Sequence, residues 1–184
     1  MKRFIDRGAI TAGWVGLGMA VTVVVSFVLV IPIEFLVAPS ALLGGMLIGY
    51  YANARSERAG GPWRRMIPNA LFAGLITGVT YAVLLLGVKA IFFYGDNGYG
   101  ATGGALTCQT GADCAYKRYI AFGRGPEFEA AGIRNVQDFT GLYWREQVST
   151  SGLMVGLSLG GALAGGLMFG AANRRNPEER VAAA

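Results

Sequence analysis

The chain contains no histidine. That removes the commonest metal ligand and general base, and with it His-ligated zinc, bis-His haem and Ser-His-Asp chemistry. The two cysteines, Cys108 and Cys114, cannot furnish a four-thiolate cluster. Charge is scarce as well: 15% of the residues are ionisable, against about 25% in ordinary soluble proteins. The few charges are gathered between long uncharged runs. No cofactor or metal site is expected from this inventory, and no enzyme.

What is present is apolar. Hydrophobic residues make up 53% of the 184, and the mean hydropathy is +0.45. Four runs approach or exceed the roughly 20 residues needed to cross a bilayer. They cover about 9–31, 33–52, 66–88 and 151–172. The first follows a basic start, as a secretory signal would, but its apolar core is longer than the 7–15 residues of a signal peptide. Despite a faint cleavage-like pattern at Val37-Ala38-Pro39-Ser40-Ala41, an uncleaved span is expected. Pro32 ends that helix, because it lacks an N–H and disfavours helical geometry at Ile31. With almost no loop between them, spans one and two should form a tight hairpin. The fold class expected is all-α: a polytopic membrane protein, one four-helix domain over 1–184, with a partly helical extracytoplasmic loop over about 95–150 between spans three and four.

Small residues recur at four-residue steps in these runs. Gly152, Gly156, Gly160 and Ala164 form one row of span four, Gly161 and Gly165 a second, and Gly166 and Gly170 a third. Span two carries Ala41, Gly45 and Gly49; span three carries Ala70, Gly74 and Gly78. On helices such rows leave a nearly bare backbone against which another helix packs closely. The repetition predicts helix-packing roles for Gly45, Gly49, Gly74, Gly78, Gly152, Gly156, Gly160, Gly161 and Gly165, partly within the chain and partly toward other subunits or a second copy.

Orientation follows from lysine and arginine near the spans. Four spans put both termini and the 53–65 turn on one side, and that side carries Lys2, Arg3, Arg7, Arg55, Arg58, Arg64, Arg65, Arg174, Arg175 and Arg180. The expectation is a plasma-membrane protein with cytoplasmic termini and the 95–150 loop outside. In an oxidising compartment Cys108 and Cys114 would pair as a structural disulfide; they lack the Cys-x-x-Cys spacing of a redox motif.

Near the spans the only charges are Glu34 and Lys89. Both fall near the outer boundary, at a depth that allows an interfacial ion pair but also allows each side chain to snorkel to water. The second reading suits that depth better than ion transport. Ser26, Asn69, Thr77, Thr80, Tyr81 and Ser158 are the remaining polar groups of the spans, and side chains of this kind more often hydrogen-bond between helices than bind substrate. Asp96-Asn97-Gly98 fails as a calcium loop, since Gly100 and Thr107 stand where acids are required. The glycine-rich 98–104 segment lacks the Lys-Ser or Lys-Thr of a phosphate loop. Glu127 and Glu129, two apart, diverge on a helix.

In the outer segment Tyr119, Phe122, Phe139, Tyr143 and Trp144 sit among arginines, a composition favoured at protein interfaces. Packing of the loop onto its own helix bundle and the lipid surface is the equal alternative. Nucleic acid is not an expected partner; membrane lipids and other integral membrane subunits are. The function expected is a non-catalytic subunit or scaffold of a membrane assembly. The alternatives are a small channel or transporter acting as a homo-oligomer, and a lipid-binding or envelope-organising protein.

Overall fold

The computed structural model describes residues 5–30, 33–56, 63–95 and 111–174. The described residues are almost all helical and include no strand. In order they form α1 (Arg7–Val24), which widens into a π-helical turn (Val25–Val30); a 3-10 turn (Glu34–Leu36) leading into α2 (Val37–Ala54); α3 (Trp63–Tyr94); α4 (Gly111–Tyr119); a kinked turn (Ile120–Arg124), in which Gly123 leaves helical geometry at φ +86°; α5 (Gly125–Ala130); and α6 (Val136–Arg174). Four stretches are long and apolar enough to cross a membrane: Arg7–Val30, Glu34–Ala54, Trp63–Tyr94 and Val136–Ala172.

Local sequence accounts for the helix ends. Asp6 caps α1, its carboxylate accepting from the Arg7 N–H at 2.7 Å. The first described helical segment ends at Val30, and the Ile33 N–H donates back to the Phe27 carbonyl at 3.0 Å; Pro32 lies outside the described residues. Pro126 stands in the first turn of α5, where a missing N–H costs nothing. Asn135 caps α6, accepting from the Asp138 N–H at 2.9 Å. α3 and α6 run to 32 and 39 residues and extend well beyond the apolar stretches read from the sequence.

The chain forms two compact units. The first comprises Met1–Leu84 and Ser151–Ala184. Part of its interior is built mainly from small side chains: Ala9 and Ala12 of α1, Ile48 and Ala52 of α2, and Ala73 of α3 form a buried cluster, with Met19, Tyr51 and Phe72 packed around it. The second comprises Leu85–Thr150. Expected as a partly helical loop, it has a core of its own, in which Phe93, Ala115, Phe128, Ile133, Phe139 and Tyr143 are buried.

Candidate interaction surfaces

In the first unit, the glycine rows divide by face. A β-carbon added at Gly45 would overlap the Ser158 backbone, and one at Gly49 the Ala162 backbone. Reciprocally, β-carbons at Gly161 and Gly165 would overlap the carbonyl oxygens of Leu42 and Met46. α2 and α6 therefore cross with each helix's glycines against the other's backbone, as small-residue seams allow. α3 approaches the neighbouring face of α6. A β-carbon at Gly74 would stand 2.5 Å from Ala162 Cβ, one at Gly78 2.9 Å from Val155 Cα, and one at Gly166 3.0 Å from Ala70 Cβ.

The remaining row does none of this. Gly152, Gly156, Gly160 and Ala164 are exposed, and β-carbons at the three glycines would meet nothing within 4 Å. At about 100° per residue, these positions occupy the side of α6 turned away from Gly161, Gly165 and Ser158. Leu153, Leu167 and Met168 are exposed alongside them.

Of the polar side chains in this unit, Ser158 and Asn53 tie one helix to another, whereas Thr77 and Thr80 bond back within α3. Ser158 Oγ donates to the Ala41 carbonyl at 3.2 Å. Thr77 and Thr80 donate back to the carbonyls of Ala73 and Ile76, at 2.9 and 2.8 Å. Asn53 Nδ2 donates to the Gly49 and Met66 carbonyls at 3.1 and 3.2 Å, which joins α2 to α3. At the same end, Asp6 N–H donates to Asn69 Oδ1 at 3.2 Å, and Ser56 Oγ donates to Asp6 Oδ2 at 2.5 Å. Asn53 was not singled out from the sequence, although it continues the 41–45–49 row by one further step of four. The same holds for Gly8, Ala12, Gly16 and Ala20, a buried four-residue row on α1.

In the second unit, the aromatic residues expected as a partner surface separate into two groups. Phe139 and Tyr143 are buried, and Tyr119 and Trp144 pack against the core they form. Phe93 stacks on Tyr143 with centroids 4.6 Å apart, and Phe139 lies 5.3 Å from Tyr119 and 5.5 Å from Phe128. Phe122 alone of the five projects outward, 71% exposed. Beside it, the Arg124 guanidinium lies 5.4 Å from the Tyr119 ring centroid and 5.6 Å from that of Phe128. Its Nε donates to Glu127 Oε2 at 2.8 Å, a hydrogen bond that raises its pKa above the ordinary arginine value.

Glu34 opens the 3-10 turn of the first unit and is exposed; Lys89, in the second unit, is half-buried within the last two turns of α3. Cys114 is buried in α4, while Cys108 lies outside the described residues, as do the 98–104 glycine segment and the basic tail beyond Arg174. Among the described residues no three of Asp, Glu, Cys or His gather where they could hold a metal ion. Comparison with protein-family models, with curated proteins and with solved structures gives no match.

Proposed function

We propose that the chain is a non-catalytic, multi-pass subunit of a plasma-membrane assembly, docked on its partner through the outward face of α6. The observation that carries this reading is the contrast between the rows of one helix. Gly161 and Gly165 are fully used by α2, whereas Gly152, Gly156, Gly160 and Ala164 lie bare. A bare row of this spacing in a helix apolar enough to cross a membrane suits a further transmembrane helix, from another subunit or a second copy. The distribution of arginine supports cytoplasmic termini and an outer 95–150 loop. Nucleic acid has no place in this reading.

Two substitutions separate docking from folding. At positions 156 and 160 a β-carbon would meet nothing within 4 Å among the described residues, and glycine costs a helix about 1 kcal/mol relative to better formers, so thermal stability of Gly156→Leu and Gly160→Leu in mild detergent should hold or rise. Co-purification of the partner, or the oligomer on native gels, should be lost. A wild-type protein that purifies only as a monomer with nothing attached would overturn the reading.

A further inference from the structure

Tyr81 of α3 is the largest fully buried side chain among the described residues, and its hydroxyl finds no hydrogen-bond partner among them. The other fully buried hydroxyls of the first unit are served: Thr77 donates to the Ala73 carbonyl and Ser158 to that of Ala41. A hydroxyl shut away from solvent without a partner is costly, and most of all in hydrocarbon. Tyr81 lies well inside the candidate span Trp63–Tyr94.

The hydroxyl ends beside Gly44 of α2. A β-carbon on Gly44 would stand 3.7 Å from Tyr81 Oη and 3.6 Å from Met19 Cε, both ordinary contacts, and would meet nothing else within 4 Å outside its own stretch of helix. Gly44 is nevertheless buried. Its neighbour Gly45 is the contrast, since a β-carbon there would overlap the Ser158 backbone. Room for about a methyl group therefore adjoins the unpartnered hydroxyl, where Met19 of α1, Gly44 of α2 and Tyr81 of α3 meet.

On α2 the wall of this space is polar. A helical side chain covers the turn before its own Cα, so glycine at 44 leaves the carbonyls of Ser40 and Ala41 uncovered. A carbonyl engaged in a helix keeps a second lone pair. The Ala41 carbonyl uses its own to accept from Ser158 Oγ at 3.2 Å, so carbonyls on this turn do take bonds from outside α2. The Ser40 carbonyl stands one turn before Gly44 itself.

We infer that Tyr81 Oη, Gly44 and the Ser40 carbonyl form a site for one internal water molecule. The water accepts from the Tyr81 hydroxyl and donates to the carbonyl, a polar bridge from α3 to α2. Buried waters characteristically serve polar groups that the chain leaves unsatisfied. A larger ligand does not fit beside Met19, and an apolar one would leave the hydroxyl unpartnered. Glycine at 44 then has a different task from Gly45 and Gly49: it keeps room for the water instead of letting a helix approach.

The test is a set of variants of the full chain in mild detergent. Gly44→Ala fills the space with a methyl group that meets no overlap and also favours the helix. If it expels a water, the melting temperature should nonetheless fall by several degrees. In a Tyr81→Phe background, which has no hydroxyl to strand, the same Gly44→Ala change should raise it. Gly44→Ser brings its own hydroxyl to the phenol and should melt above Gly44→Ala, whereas simple crowding would place the bulkier serine below. Equal shifts from Gly44→Ala in both backgrounds, or serine melting below alanine, would overturn the site. Nuclear magnetic resonance gives the direct readout: a water cross-peak at the helix-bonded Gly44 amide in the wild type, lost in Gly44→Ala. A wild-type amide without that cross-peak would also overturn it.

Discussion

Gly16 of α1 faces Thr77 of α3 so closely that a β-carbon at position 16 would overlap Thr77 Oγ1 and lie 3.1 Å from Thr77 Cβ. The hydroxyl cannot easily turn aside, because it donates to the Ala73 carbonyl at 2.9 Å and Thr77 is fully buried. Gly16→Ala should therefore destabilise the bundle by about 1–3 kcal/mol, the usual range for overpacking. Adding Thr77→Ala should restore part of that loss. Unfolding titrations of the two single variants and the double variant in detergent read the coupling directly. Strict additivity would show that the two residues do not meet.

The clamp at the start of α1 makes a second prediction. Asp6 caps its own helix and accepts from Ser56, while its N–H reaches Asn69. Asp6→Ala should cost about 1 kcal/mol from the cap alone, with a further loss from the abandoned Ser56 hydroxyl. Asp6→Asn retains an acceptor and should recover most of the stability. Hydrogen exchange at the first turn of α1 would locate the change.

In the second unit, two phenylalanines of similar sequence surroundings should respond oppositely. Phe139 is buried among Tyr116, Tyr119, Phe128 and Tyr143, so Phe139→Ala should cost about 3–5 kcal/mol. Phe122→Ala should change stability by less than about 0.5 kcal/mol, as exposed positions do. Limited proteolysis of residues 111–135 gives the comparison, with rapid cleavage expected only for the Phe139 variant.

The cysteines supply a fourth prediction. If residues 85–150 face an oxidising compartment, Cys108 and Cys114 pair, and closing so short a loop stabilises by roughly 2–3 kcal/mol on the chain-entropy estimate. Maleimide should label the unfolded protein only after reduction. Cys108→Ser should lower the melting temperature of the outer unit, which would be visible as earlier loss of tyrosine and tryptophan near-ultraviolet signal.

Much of the architecture is legible in the residues themselves. The four apolar stretches, the cap at Asn135 and the start of α5 around Pro126 all follow from hydropathy, a missing N–H group and short polar side chains. These are local effects, and local sequence contains them. Which glycine row packs is a different kind of question. Gly156–Gly160 and Gly161–Gly165 have the same spacing in the same helix and differ only in azimuth. Azimuth is settled by what lies across the helix, in this case the backbones of Leu42 and Met46. The aromatic residues show the same division. Composition marks Tyr119, Phe122, Phe139, Tyr143 and Trp144 alike, yet Phe122, beside the kink at Gly123, lies outside while the others close a core. The side of a kink on which a side chain falls is not written in a hydrophobic pattern, because the pattern only records which residues can be buried. Tertiary packing decided which of them are.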